Sequence, residues 1–313
     1  MPNTIPSTPV SPRLEQESFS NMSNSSITGW KAYEYYPSLG AAVLFILLFL
    51  TITILHTFHL FRTRTWFFIP MVIGGYFETV GYIGRAMSAK QSPNWTTGPY
   101  IIQSTLLLIA PALFAASIYM ELGRIILLVK GQSFSLVPIK WTTSIFVGGD
   151  VLSFLMQASG AGLMVSGSSG DGSSAKTGQN VIIGGLFVQI IFFGFFLISA
   201  LVFQRRLVSN PSALLAADAL PWRKHMFALH TSSVLILIRS VVRVVEYVQG
   251  TGGFLMKNEV FIYVFDGLLM WVMMVIFAVI HPSEVNVLLG RSRKMTRGFG
   301  LGVVDMVPLV NRA

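Results

Sequence analysis

Seven times this sequence holds an apolar stretch long enough to cross a lipid bilayer. A helix rises about 1.5 Å per residue, so a hydrocarbon layer about 30 Å thick takes roughly 20 mostly apolar residues. The stretches run over residues 39–60, 66–87, 100–129, 141–165, 179–203, 225–249 and 259–280, separated by Pro, Gly, Ser or basic residues. Lipid offers no partner to a backbone N–H or C=O, so each stretch must be helical. The expected fold is an all-α membrane protein, a seven-transmembrane helix bundle. Charged residues make up 11% of the chain, against about 25% in a soluble domain, because an ionisable group in lipid is costly. The expected organisation is an N-terminal tail over 1–38, disordered over 1–34, then the helix domain over 39–280 and a basic tail over 281–313.

Orientation follows from the basic residues. Thirteen Lys and Arg lie in the segments after the first, third and fifth stretches and in the C-terminal tail, against five on the other side. The positive-inside rule then puts the N-terminus outside and the C-terminus in the cytoplasm. Glycosylation sequons at Asn21, Asn24 and Asn94 all fall on the predicted outer side. The net charge of +9 therefore reads as basic segments facing anionic lipid, not as a nucleic-acid surface. Residues 284–289 read as a short interfacial helix, and the basic run 291–297 as a contact for anionic inner-leaflet lipid, although topology alone accounts for the same charges. The polar start has no apolar run, so no cleavable signal peptide is expected. The chain has no cysteine, which excludes disulfides, thiolate metal sites and thiol nucleophiles.

Polar residues inside the apolar stretches carry the functional information, since lipid forces them toward the bundle interior. The second stretch holds Glu78, Tyr82 and Arg85; the fourth Asp150 and Gln157; the fifth Gln189; the sixth Arg239, Arg243 and Glu246; the seventh Glu259, Tyr263 and Asp266. Spacings of three, four and seven put each set on one helix face. The stripes are expected to face one another as a polar transport path. Five carboxylates against the guanidiniums of Arg85, Arg239 and Arg243 leave two without a basic partner. Such groups would be protonated or would bind a cation, such as the amine of an amphipathic substrate. Glu121 and Arg124, three apart near the inner end of the third stretch, read as a local ion pair.

Other motifs do not carry chemistry. The Gly170–Thr177 segment resembles a phosphate loop, but it lies in a predicted outer loop with no preceding strand, so it reads as a flexible Gly/Ser linker. His56 and His59 share a face near the inner end of the first helix and read as interfacial histidines, with no third zinc ligand at that depth. There is no nucleophile elbow, no cofactor motif and no metal-ligand set, so an enzyme is not expected. Gly74, Gly75, Gly81, Gly84, Gly148, Gly149, Gly160 and Gly162 read either as sites of close helix packing or as flexing points.

Several spaced sets together resemble the fungal lipid-translocating exporter, or RTA-like, family. They are Glu78-x-x-Gly81-Tyr82-x-x-Arg85, Ala110-Pro111 with Ala115-Ala116-x-x-Tyr119, Asp150 with Gln157 and Gly160, Gly185-Leu186-x-x-Gln189, Arg239-x-x-x-Arg243-x-x-Glu246, Glu259-x-x-x-Tyr263-x-x-Asp266 and His281-Pro282. The resemblance implies a seven-helix plasma-membrane protein linked to release of sphingoid long-chain bases, phospholipid asymmetry, and resistance to sterol analogues or azoles. An exporter or flippase would seat an amphipathic small-molecule substrate or membrane lipid with its head group among the polar stripes and its tail in the bilayer. The alternative is a seven-helix receptor or sensor of lipid or xenobiotic stress, and a membrane hydrolase lacks a catalytic set.

Overall fold

The computed structural model describes residues 35–92, 95–167, 172–250, 253–292, 294–296 and 303–305. The sequons at Asn21, Asn24 and Asn94 and the expected tail over 1–34 lie outside the described residues. Ser38 opens helix α1 (Leu39–Thr63), its hydroxyl accepting the Ala41 N–H, and Arg64 ends it in left-handed backbone at φ 54°. A 3-10 turn, Trp66–Phe68, leads into α2 (Ile69–Lys90), whose first turn carries Pro70, where an amide N–H would lack a partner anyway. Helices α3 (Thr97–Leu128), α4 (Ile139–Gly167) and α5 (Gly172–Val208) follow. The short α6 (Pro211–Asp218), capped by Asn210, joins α5 to α7 (Trp222–Gln249). After α8 (Phe254–Lys257), the last long helix begins as a π-helical segment, Ile262–Leu268, and continues as α9 (Leu269–Val279). Beyond it lie α10 (Ser283–Leu288) and an antiparallel hairpin of β1 (Lys294–Thr296) with β2 (Val303–Asp305), in which Met295 pairs with Val304.

The long helices close a ring. α2 packs between α1 and α3, α4 between α3 and α5, and α7 against α5, while α9 bridges α7 and α1 and α3 reaches across to α7. Small residues allow the tightest approaches. A Cβ at Gly84 would stand 2.9 Å from the Pro99 carbonyl of α3, and one at Gly160 would stand 2.6 Å from the Gly178 carbonyl of α5. Gly74, Gly75, Gly81 and Gly149 likewise face neighbouring side chains, whereas a Cβ at Gly148 or Gly162 would meet nothing within 4 Å.

Large apolar side chains such as Leu47, Phe61, Ile191 and Ile198 cover the outward faces. That surface would associate in water but matches lipid. Six of the long helices are long and apolar enough to cross a membrane. α4 has comparable length, but Asp150, Gln157 and its glycines and serines dilute its apolar character. The chain is thus an integral, all-α membrane protein with one small hairpin.

Three expectations about the ends and connections change. Residues Gly172–Thr177, expected in a flexible linker, form the start of α5; the longer helix brings Gly178 against Gly160. Tyr35–Ser38 are not tail, because Tyr35 and Ser38 bond to the bundle. The 284–289 segment is helical, but it does not lie on lipid: Val285, Asn286 and Val287 are buried against the bundle. Its neighbour Ser292 donates to the Thr63 carbonyl at 2.7 Å, which ties the tail to the end of α1.

Candidate functional site

The interior holds ionised groups where α2, α7 and the last helix face one another. At the end away from the C-terminal tail, Arg85 is completely buried. Its Nη2 donates to Glu259 at 2.7 Å and to the Tyr35 hydroxyl at 2.9 Å, and its Nε donates to the Tyr263 hydroxyl at 2.9 Å. Both Glu259 oxygens accept the Ser38 N–H, at 2.8 and 3.0 Å. Burial raises the Tyr35 phenol above its ordinary range, with the Arg85 charge pulling the other way, so Tyr35 stays a neutral partner.

Deeper in the bundle, Arg239 pairs with Asp266 at 2.5 Å, and Arg243 lies 3.6 Å from the same carboxylate while donating to Glu246 at 2.8 Å. Arg239 also donates to the Leu107 carbonyl of α3 at 2.7 Å. That carbonyl is free because residue 111, four positions on, is a proline without an N–H. A helix break in one element therefore supplies the acceptor that orients a charge from another. Tyr82 stacks on Phe45, Phe49 and Tyr263, with ring centroids 5.2, 5.6 and 5.9 Å away. Its hydroxyl lies beside Gly267 in the π-helical segment. Such wide turns inside helices recur at functional sites.

Glu78 is the exception in this seam. It is buried within electrostatic reach of Asp266, Arg239 and Arg243, yet it makes no hydrogen bond or ion pair among the described residues. The seam's other carboxylates, Glu246, Glu259 and Asp266, all hold a guanidinium. Glu78 does not pair with Arg85 of its own helix, because Glu259 and Tyr263 take that guanidinium. The carboxylates left without one are Glu78 and Asp150.

The α4 stripe does not join the seam. Asp150 accepts the Tyr119 hydroxyl of α3 at 2.9 Å. Gln157 donates to Ser153 at 2.7 Å and reaches Gln189 of α5 at 3.4 Å, while Ser153 bonds the Gly185 carbonyl. α4 packs on α3 and α5, so its polar face turns there. The polar path splits into two groups.

Sequence spacing also mispairs the other end. Glu121 does not bond Arg124. Arg124 donates to Asn286 at 2.6 Å and stacks over Phe67, whereas Glu121 faces His225 of α7 at 3.5 Å. His56 and His59 are buried in protein rather than presented at an interface, and His281 provides a third ring at their depth, 6.2 and 5.1 Å between centroids. Among the described residues no group of His, Asp and Glu is arranged to hold a metal ion. His225 and Glu284 were not among the functional residues read from the sequence, and His281 entered only through the His281-Pro282 set. The signal was there in Glu121, a carboxylate deep in an apolar helix that needed a partner from another helix, not from its own.

Fold and interior together define a polytopic membrane protein whose helices meet around buried ion pairs. The family model described as RTA1 like protein matches residues 71–287, and the chain belongs to that family. Among curated proteins it is similar to protoporphyrin uptake protein 1 of Saccharomyces cerevisiae, 40% identical over 290 positions that take in 80% of this chain and 92% of the relative. Protein RTM1 of the same yeast is 36% identical over 82% of this chain and 94% of its own. A sphingoid long-chain base transporter, RSB1, is 28% identical over 79% of this chain and 72% of its own. No solved structure matches.

Proposed function

We propose that this chain translocates amphipathic lipids across the plasma membrane, spanning it seven times with the N-terminus outside and the C-terminus in the cytoplasm, and does so without enzymatic chemistry. The observation that carries the reading is the seam itself. Ion pairs run inward from Arg85 and Glu259 to Arg239 and Asp266 in a body otherwise matched to lipid, and they end beside an unengaged carboxylate, Glu78. Guanidiniums suit phosphate or carboxyl head groups, and Glu78 suits an amine. The named cargoes of two relatives, a sphingoid long-chain base and protoporphyrin, both join ionisable groups to a large apolar body. The basic tail side would lie on anionic inner-leaflet lipid, the outer sequons would be glycosylated, and resistance to toxic lipids, sterol analogues or azoles would follow from altered lipid distribution.

The test is movement of a fluorescent long-chain base and a fluorescent phospholipid in proteoliposomes holding the purified protein. Wild type should move at least one of them, and folded Glu78→Gln and Arg243→Ala should lose roughly tenfold or more of the rate. A wild type that moves neither, with or without a proton gradient, sinks the translocation reading and leaves the receptor or sensor of lipid stress in its place.

A further inference from the structure

At the end of the bundle that bears the C-terminal tail lies a set of groups the seam does not use. His225 of α7 has a completely buried ring with a carboxylate at each nitrogen: Glu121 of α3 stands 3.5 Å from Nδ1, and Glu284 of α10 stands 3.1 Å from Nε2. Glu121 is also completely buried, and neither of its oxygens receives a hydrogen bond from a described residue. Glu284 is 18% exposed and also pairs with Lys224, which is 48% exposed, so this side opens toward water.

A neutral imidazole has one N–H to donate and one bare nitrogen that repels a carboxylate. With both carboxylates ionised, only the imidazolium satisfies both neighbours, and only a nearby positive charge makes an ionised Glu121 tolerable at zero exposure. The other rings differ. His56 and His230 each contact a backbone carbonyl through one nitrogen, and His281 accepts the Ser283 N–H. His281 lies within electrostatic reach of His225, and His56 and His59 of α1 lie within reach of His281. Arg124, one turn from Glu121, is held by Asn286 and Phe67.

We propose that Glu121, His225 and Glu284 form a proton-binding site, loaded from the aqueous side through Glu284 and Lys224, in which the bound proton ties α3, α7 and α10 together. Release of the proton leaves one N–H to serve two carboxylates, so either Glu121 becomes a bare carboxylate in the interior or Glu284 loses its ring donor. α10 and the tail hairpin behind it then keep only the exposed Lys224 pair as an ionic tie to α7. A proton supply on this face would thereby set the helix arrangement at this end of the seam.

The site is testable without any assumption about lipid movement. Nitrogen NMR of full-length protein labelled at histidine reads the protonation of each ring directly, and His225→Gln identifies the resonance. At pH 7 the wild-type ring should carry N–H on both nitrogens, and in Glu121→Gln, which keeps shape and removes charge, it should carry one. Hydrogen exchange in α10, corrected for the intrinsic effect of pH on amide exchange, should quicken by roughly tenfold between pH 6 and pH 9 in wild type, and Glu284→Gln, a change at the rim, should abolish that dependence. A neutral wild-type ring at pH 6, a doubly protonated ring in Glu121→Gln, or α10 exchange that follows only the intrinsic pH effect in wild type would each overturn the proposal.

Discussion

Arg239 shows what a single buried charge asks of its surroundings. Its partners are Asp266 and the Leu107 carbonyl, and all three groups are shut away from water. Arg239→Ala leaves Asp266 short of a partner and should cost about 3–5 kcal/mol, the usual loss when half of a buried pair is removed. Adding Asp266→Asn should return part of that loss, read as thermal unfolding in detergent. Pro111 gives the finer test. Pro111→Ala supplies an N–H to Leu107 within α3, so Arg239 no longer has sole claim on that carbonyl. The cycle of Pro111→Ala with Arg239→Ala should show a coupling of about 0.5–1.5 kcal/mol, the worth of one hydrogen bond; additive effects would refute the link. Both residues were visible in the sequence. Their connection was visible only to a reader who asks which carbonyl a proline orphans.

At the scale of elements, periodicity located the inward faces of α2, α7 and the last helix, and Arg243–Glu246 pairs within one helix as its spacing allows. Spacing could not say which helices face which. Asp150 and Gln157 lie on one face of α4, but that face meets α3 and α5. The π-helical turn at Ile262–Leu268 has no sequence marker, and within it Gly267 sits against Phe45 and Tyr82, where any side chain would collide. The glycines divide the same way. Gly84→Ala and Gly160→Ala place a methyl against backbone and should destabilise by about 1–3 kcal/mol. Gly148→Ala meets nothing and should be neutral or stabilise by about 0.5–1 kcal/mol through helix propensity. Equal effects at all three positions would mean that helix flexing, not contact, decides them.

For the whole molecule, the same charge asymmetry that orients the bundle decides which compartment each buried group serves. The Arg85–Glu259 pair lies at the Ser38 end of α1, and the Glu121–His225–Glu284 set lies where α10 docks near the other end. If the basic segments are cytoplasmic, substrate head groups meet guanidiniums near the outer leaflet, and protons reach His225 from the cytoplasm. The absence of cysteine makes this directly measurable, because any thiol introduced is the sole thiol. Thr97, exposed at the start of α3, and Arg223, exposed at the start of α7, lie at opposite ends of the bundle. In sealed cells an impermeant maleimide should label Thr97→Cys, and it should label Arg223→Cys only after permeabilisation. The reverse pattern would turn the bundle over, place the sequons where no glycosylation occurs, and make His225 a reporter of external acidity. Labelling of both positions in sealed cells would require an even number of crossings between residues 97 and 223, so that one of α3, α4 and α5 fails to span. α4 would be the one to suspect, since it alone of the three carries a carboxylate near its middle and falls short of the apolar character of a spanning helix.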